Sequence, residues 1–427
     1  MSLAFTMFVV SFAGFLLLGV PIAFCMGTAS VFYLLLADTA NLTVVYSRMV
    51  SALQSYLYVG VAFFILASNL MNVSGVTERI YDFAHSLVGH FRGGLAQVNV
   101  LGSIIFSGMS GTALGDAAGL GRIEVRAMTR AGYKPEFAAA VTIASAVIGP
   151  IIPPSMVMII YAELAEVSIA ELFIGGVIPG LMIGVMLMIF IYITASSDGP
   201  PPAPREGWLQ RWRAFRRGFM PLMAPVMIII GITGGYITTT EAGAAMVCFA
   251  LILTLWYREA KFSEVMEAFR DAALGTATPL FIVTTALLFS WIVTVERVPN
   301  QLLDVLGSVA TNWVLMTLLI NVILLLLGMV LEGIAILILV VPILKPLAVA
   351  AGIDLVHLGV FMTVNLMIGM ITPPVGLSLY VACEIANRPM GVIVRAVAPL
   401  LIPLIMALLL VSLIPATVTF LPNLLLR

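Results

Sequence analysis

Two pairs of short runs in this chain carry residue types able to hold a small hard cation. The first pairs "SGMSGT" at 107–112 with "IGPIIPPS" at 148–155; the second pairs "LGMVLEG" at 327–333 with "IGMITPPVG" at 368–376. Proline removes a backbone donor and clashes with the preceding turn, and it pushes the residue before it out of the helical region. A helix interrupted in this way frees carbonyl oxygens and aims helix ends inward. Carbonyls and hydroxyls suit a hard cation, and helix amino termini suit a carboxylate. In the first pair the cation candidates are Ser107, Ser110 and Thr112, with backbone at Gly149, Ile152 and Pro153; in the second they are Gly328, Gly369, Thr372 and Val375. The region expected to face an organic anion is bounded by Thr112, Pro154, Glu332, Pro373 and Pro374. Ser and Thr in apolar helices also bond to their own helix carbonyls. What distinguishes these residues is their place at two matching breaks.

Acidic groups carry the next signal. Asp116, Glu241 and Glu332 stand in apolar surroundings, where an ionised side chain is costly unless it is paired, faces water or caps a helix. His85, His90 and His357 fall near the edges of apolar segments and form no proton relay. No nucleophile, base and orienter come together in the sequence, and neither an HExxH nor a phosphate loop occurs. The residues point away from enzymatic chemistry.

The elements that must position these residues follow from composition. With 62% hydrophobic and 10% charged residues over 427 positions, the chain carries more apolar surface than a soluble core can hide, and reads as an all-α polytopic membrane protein. A net charge of -1 argues against nucleic acid as a partner and leaves membrane lipid as the surroundings. Cys25, Cys248 and Cys383 have no metal or redox spacing. Apolar segments long enough to cross a bilayer lie near 3–19, 21–36, 55–73, 135–161, 172–195, 219–235, 241–257, 273–295, 355–385 and 391–420. Two further stretches, about 93–121 and 312–345, have Gly-rich or polar centres and read as re-entrant hairpins whose turns must be covered by protein or water.

Sliding the chain by 220 residues lays Gly108, Ile148, Gly149, Pro153, Pro154 and Pro179 on Gly328, Ile368, Gly369, Pro373, Pro374 and Pro399. Glycine and proline dominate the matches, so backbone shape is what repeats. The expected organisation is a first repeat over 1–195, with its hairpin at about 93–121 and a broken helix at about 135–161. A Pro/Arg-rich linker over 196–218 follows, and then a second repeat over 219–427, with a hairpin at about 312–345 and a broken helix at about 355–385. Arg79, Arg92, Arg122, Arg126, Arg130 and Lys134 flank the first hairpin, whereas the second has only Arg297 and Lys345. The excess of positive charge puts the first hairpin and the linker in the cytoplasm and the amino terminus outside, so the two repeats are inverted. Paired broken elements in inverted repeats characterise secondary transporters.

The runs "SGMSGTALGDAAGLG", "RAMTRAGYKPEFAAAVTIASAVIGPIIPPS", "GGYITTTEAGAAMV", "LGMVLEGIAILILVVPIL" and "GMITPPVGLSLYVAC" resemble the large membrane subunit (DctM-like permease) of tripartite ATP-independent periplasmic (TRAP) transporters, over essentially the whole chain. Two departures are Glu332, where aspartate is expected, and "YITTTEA", which lacks a proline in the turn. The resemblance implies an elevator-type importer of the bacterial inner membrane, in which a transport domain holding both hairpins and both broken helices moves against a scaffold. It implies coupling to Na+, at about two sites beside the hairpin tips and broken helices. It also implies a small four-helix (DctQ-like) membrane subunit and a soluble periplasmic (DctP-like) binding protein that delivers a small carboxylate. The alternative is a stand-alone divalent-anion/sodium symporter, which needs no binding protein.

Overall fold

The structure, a computed structural model, describes residues 3–37, 43–111, 113–195, 200–307 and 311–426, without the side chains of Ala52, Ser110, Leu114 and Ala118. Every regular element among them is a helix. The first half runs through α1 (Leu3–Leu17), α2 (Ile22–Leu36), α3 (Thr43–Leu53), α4 (Leu57–Val73), α5 (Val76–Val88), α6 (Gly94–Ser110), α7 (Ala113–Ala118), α8 (Leu120–Arg130), α9 (Pro135–Ala146), α10 (Met156–Ala165) and α11 (Ile169–Thr194). The second half follows with α12 (Trp208–Thr233), α13 (Thr239–Tyr257), α14 (Phe262–Val295), α15 (Val298–Leu306), α16 (Trp313–Gly328), α17 (Gly333–Ala350), α18 (Leu355–Gly369), α19 (Leu377–Ala386), α20 (Met390–Leu413) and α21 (Ala416–Leu425). Among the described residues, six helices, α11, α12, α13, α14, α17 and α20, are long and apolar enough to cross a membrane, and α4 and α5 form a further candidate span bent by 72°.

Several elements differ in extent from the sequence reading. The polar leader "FSEVMEAFRDA" belongs to α14, which has 34 residues and starts at Phe262 instead of near 273. Its capping box, in which the Lys261 N–H donates to the Glu264 carboxylate at 2.7 Å, lets the helix begin in polar sequence. Part of the linker stretch is likewise helical, since α12 starts at Trp208. The apolar run 391–420 is two helices, because the chain leaves helical geometry at Ile414, before Pro415. The second arm of the first hairpin is divided into α7 and α8 at Gly119. His357, expected near a membrane edge, is fully buried, with Nε2 2.8 Å from the Val411 carbonyl oxygen.

The helices pack as two groups. In one, α1 lies on α2, and α14 packs against α2, α3 and α4, with α13 against α4. In the other, α6, α8, α19 and α20 surround α9, while α16, α17, α11, α10 and α20 surround α18. Small residues make this crowding possible: Ala138, Ala139, Ala140, Ala144 and Ala146 of α9 are buried, so neighbouring backbones approach closely. Two amphipathic helices connect the groups. Val76, Ile80, Ala84 and Val88 recur every fourth residue along α5 and are buried, with Glu78 exposed on the opposite face. The second, α15, links α14 to α16. Contact between the groups runs mainly through α14 with α17, and through α4 with α6 and α10.

Candidate functional site

Both proline runs interrupt their helices. Helix α9 ends at Ala146 and α10 begins at Met156; α18 ends at Gly369 and α19 begins at Leu377. The Pro153–Pro154 and Pro373–Pro374 bonds are both cis. At the first break Ser155 caps α10, accepting from the Met158 N–H at 3.2 Å and donating to the Pro150 carbonyl. No donor among the described residues reaches the carbonyl oxygens of Gly149, Ile152 or Pro153. Cation ligands of this kind are what a helix interior cannot offer.

Each hairpin tip lies on its own break. The α6 tip ends at Gly111 in the left-handed conformation, and a Cβ there would stand 2.6 Å from the Pro154 carbonyl oxygen. Only glycine combines that backbone angle with that approach. At the second tip a Cβ on Gly369 would meet the Gly328 Cα at 2.7 Å, so α16 and α18 cross backbone to backbone. The N–H groups of Val375 and Gly376 then both donate to the Met329 carbonyl, at 3.2 and 3.0 Å. The first half lacks the equivalent direct glycine contact: Gly108 faces Pro225 of α12, and Gly149 faces the Asp116 carboxylate.

Of the hydroxyls, Ser107 donates to the Ile104 carbonyl at 2.6 Å and Thr372 to the Ile368 carbonyl at 2.7 Å. Each closes a turn of its own helix while its oxygen keeps lone pairs for a cation. Thr112 and the side chain of Ser110 lie outside the described residues. Glu332 caps α17, accepting from the Ala335 N–H at 3.2 Å, and Glu241 completes a capping box with Thr238 on α13. Asp116 is buried in the first turn of α7.

The two tips converge on one cavity of about 630 Å³. Its walls include Gly111 and Ala113, Pro150 and Met156 at the first break, Glu332 and Ala335, and Met367 and Met370 at the end of α18. The opposite wall comes from the other helix group, with Ile65 and Asn69 of α4 and Asp271, Gly275 and Thr278 of α14. Among the described lining residues there is no Arg, Lys or His, so an anion would meet helix amino termini, at α10 and α17, instead of a cationic side chain. Of the residues expected near the anion, Glu332 lines the cavity; Pro154, Pro373 and Pro374 do not, and Pro374 is exposed.

Sequence reasoning missed Asn69, Asp271 and Thr278. The only signal for Asp271 was its place at the end of a charged run just ahead of an apolar segment, and Asn69 was one of two amides, with Asn72, within another. Also missed were the buried polar contacts that lock each hairpin to its broken helix. In the first half the Ser145 hydroxyl donates to the Asn99 side-chain oxygen at 2.8 Å, and Asn99 donates to the Thr142 hydroxyl at 2.7 Å. In the second, Asn365 donates to the Asn321 backbone and side-chain oxygens at 2.9 and 2.8 Å.

Residues 9–417 match the sequence profile of a family described as "Tripartite ATP-independent periplasmic transporter, DctM component". The chain is 39% identical to the sialic acid TRAP transporter large permease protein SiaM of Vibrio cholerae, over 96% of each chain. It is 36% identical to the C4-dicarboxylate TRAP transporter large permease protein DctM of the same organism, again over 96% of each. Among solved structures, the YdaH transporter of Alcanivorax borkumensis superposes with a TM-score of 0.61 over 95% of this chain and 98% of its own, at 16% identity. MtrF of Neisseria gonorrhoeae superposes with a TM-score of 0.57 over 96% and 94%, at 12% identity. At these identities the structures speak to the fold alone.

Proposed function

Because the chain belongs to the family of TRAP transporter large permeases, a multi-pass membrane protein, we propose that it carries out sodium-coupled import of an organic acid by an elevator motion. The observation that carries this reading is the single cavity on which both hairpin tips and both broken helices converge. Its far wall, α4 and α14, belongs to the other helix group. A solute held there sits between two bodies joined by the amphipathic connectors α5 and α15.

Sodium would be held beside each tip. Carbonyls at Gly149, Ile152 and Pro153, which no described donor reaches, suit one ion together with the Ser107 hydroxyl, and Gly328, Thr372 and Val375 suit a second. The bound cations and the amino termini of α10 and α17 together would favour a carboxylate in a cavity whose described lining has no basic side chain. The lack of a cationic grip fits a permease that receives its substrate from a periplasmic binding protein and works with a small four-helix membrane subunit in the inner membrane. The two relatives handle sialic acid and C4-dicarboxylates by name, and an organic acid of this size range is the proposed substrate class here.

The reading is tested in proteoliposomes containing this chain and its membrane subunit, with the cognate binding protein and a panel of radiolabelled carboxylates outside. Uptake should require an inward sodium gradient and collapse when choline replaces sodium. Uptake at full rate without sodium would sink the coupling, and full uptake by the isolated chain would sink the tripartite assembly.

A further inference from the structure

We propose that the apolar hollow beneath α15 is a binding site for one acyl chain of a membrane phospholipid. The hollow encloses about 500 Å³ between α1, α14, α16 and α17, with α15 across one end. Every described lining side chain is apolar, from Phe5 and Phe8 on α1 through Phe289 on α14 to Val340 and Leu344 on α17. A water molecule needs two to four polar partners and finds none among these side chains, so hydrocarbon is the chemistry that fills it.

The way in is lateral. Most lining residues are buried or half-buried, but Val9 of α1 and Ile323 of α16 are 43% and 37% exposed, which places the mouth between these helices. Their exposed neighbours Val10, Val322 and Leu326 continue the same apolar surface. In a multi-pass membrane protein that surface is covered by lipid, so the hollow is continuous with the bilayer. Along α15, Val298, Leu302 and Leu306 line the hollow at a spacing of four, while Gln301 and Asp304 are exposed. A helix of this pattern lies in the membrane interface with its apolar face toward the chains. Arg297, exposed and immediately before Val298, supplies a cation at headgroup level for the phosphate of a lipid whose tail enters below.

The walls belong to both helix groups, since α1 and α14 pack with the first and α16 and α17 with the second. A tail lodged there fills a gap that any relative movement of the groups must reshape. That consequence rests on the elevator reading; the binding site does not.

The experiment places the full-length protein, with its membrane subunit, in nanodiscs of phosphatidylethanolamine and phosphatidylglycerol doped with a phospholipid carrying a mid-chain diazirine. Cross-linked peptides are mapped by mass spectrometry after illumination. Label is expected on inner-wall positions such as Phe5, Phe8, Leu302 and Val340, as well as on the outer positions Val10 and Leu326. Ile323→Trp, at the exposed mouth, should cut inner-wall label at least fivefold and leave outer label unchanged. Val9→Trp closes the mouth from the other side and should reproduce the loss if Ile323→Trp folds poorly. Arg297→Gln should lower inner-wall label at least twofold. Outer label alone in the wild-type protein, or undiminished inner label in both mouth variants, would overturn the site. An unchanged yield in Arg297→Gln would remove the phosphate contact from it.

Discussion

Thr372 carries two readings at once. Its hydroxyl donates to the Ile368 carbonyl at 2.7 Å, which is what a threonine does in any apolar helix, yet Thr372 stands just past the end of α18, inside the break itself. Thr372→Val removes the oxygen and keeps the shape, so it should raise the sodium concentration for half-maximal uptake by about tenfold, the loss of about 1 to 3 kcal/mol expected for one ligand. Sodium-titrated uptake at equal protein levels decides it; an unchanged titration would leave Thr372 as a turn-closing residue only. Asn365 gives a contrasting expectation. It is buried and donates twice to Asn321, so Asn365→Leu strands the buried Asn321 side-chain oxygen and should cost about 1 to 3 kcal/mol of stability. A lower midpoint of thermal unfolding in detergent, with and without sodium, would show this. A melting curve identical to wild type would mean that the pair adds nothing to the packing of α16 on α18.

At the level of elements, the sequence was most informative where proline and glycine dictate backbone shape. "IGPIIPPS" and "IGMITPPVG" could not be helical throughout, whatever surrounded them, and α9 and α18 do stop at them. Boundaries set by side-chain contacts at a distance were not legible. The polar start of α14 is helical because Glu264 caps it and Asn69 of α4 donates to its Ala268 carbonyl, and α5 hides its apolar face on α6 and α12. Asp271 and Asn69 became cavity residues only when α4 and α14 were brought opposite the hairpin tips. The crossing of α16 and α18 yields a sharp prediction. Gly369→Ala places a Cβ 2.7 Å from the Gly328 Cα and 2.9 Å from its carbonyl carbon, and backbone on both sides leaves nothing flexible to give way. The helices must separate, at about 1 to 3 kcal/mol, and Met329 should lose its bonds from Val375 and Gly376. The variant should unfold at lower temperature and, on the proposed sodium-coupled reading, lose most of the stabilisation expected from sodium. Retention of full sodium-dependent stabilisation would show that the second tip holds no ion. Replacing Pro153 and Pro154 together with alanine should instead favour a continuous helix and lower uptake at every sodium concentration.

For the whole molecule, the side to which the cavity opens can be argued from charge. Asn69 and Asp271 line both the central cavity and a second hollow of about 590 Å³, whose other walls include Gly75, Glu78, Glu259, Glu264 and Glu267. The two spaces are therefore neighbours through α4 and α14. The second hollow lies at the end of the molecule where Arg79 reaches Glu259, with Nη2 2.7 Å from Oε1, and stacks on Tyr257 at 3.7 Å. Arg79 holds the Glu259 carboxyl below its ordinary range, chiefly by hydrogen bonding. Its contribution is therefore present above the unfolded carboxylate range and lost as pH falls through the depressed value. With Glu259 about half exposed, that contribution is small. Arg79 is among the positive residues that argue for a cytoplasmic face, together with Arg92 and the Arg205–Arg217 stretch. The cavity should then be open to the cytoplasm in this conformation. In a background with Cys25, Cys248 and Cys383 replaced by alanine, Gly275→Cys on the cavity wall and Arg213→Cys on the linker should both react with an impermeant maleimide in inside-out vesicles. Arg213→Cys should stay protected in intact cells. Labelling of Arg213→Cys from outside would invert the topology. Labelling of Gly275→Cys from outside only, with Arg213→Cys protected, would keep the topology and place the opening on the periplasmic face, which would require the acidic hollow to be closed off from the substrate path.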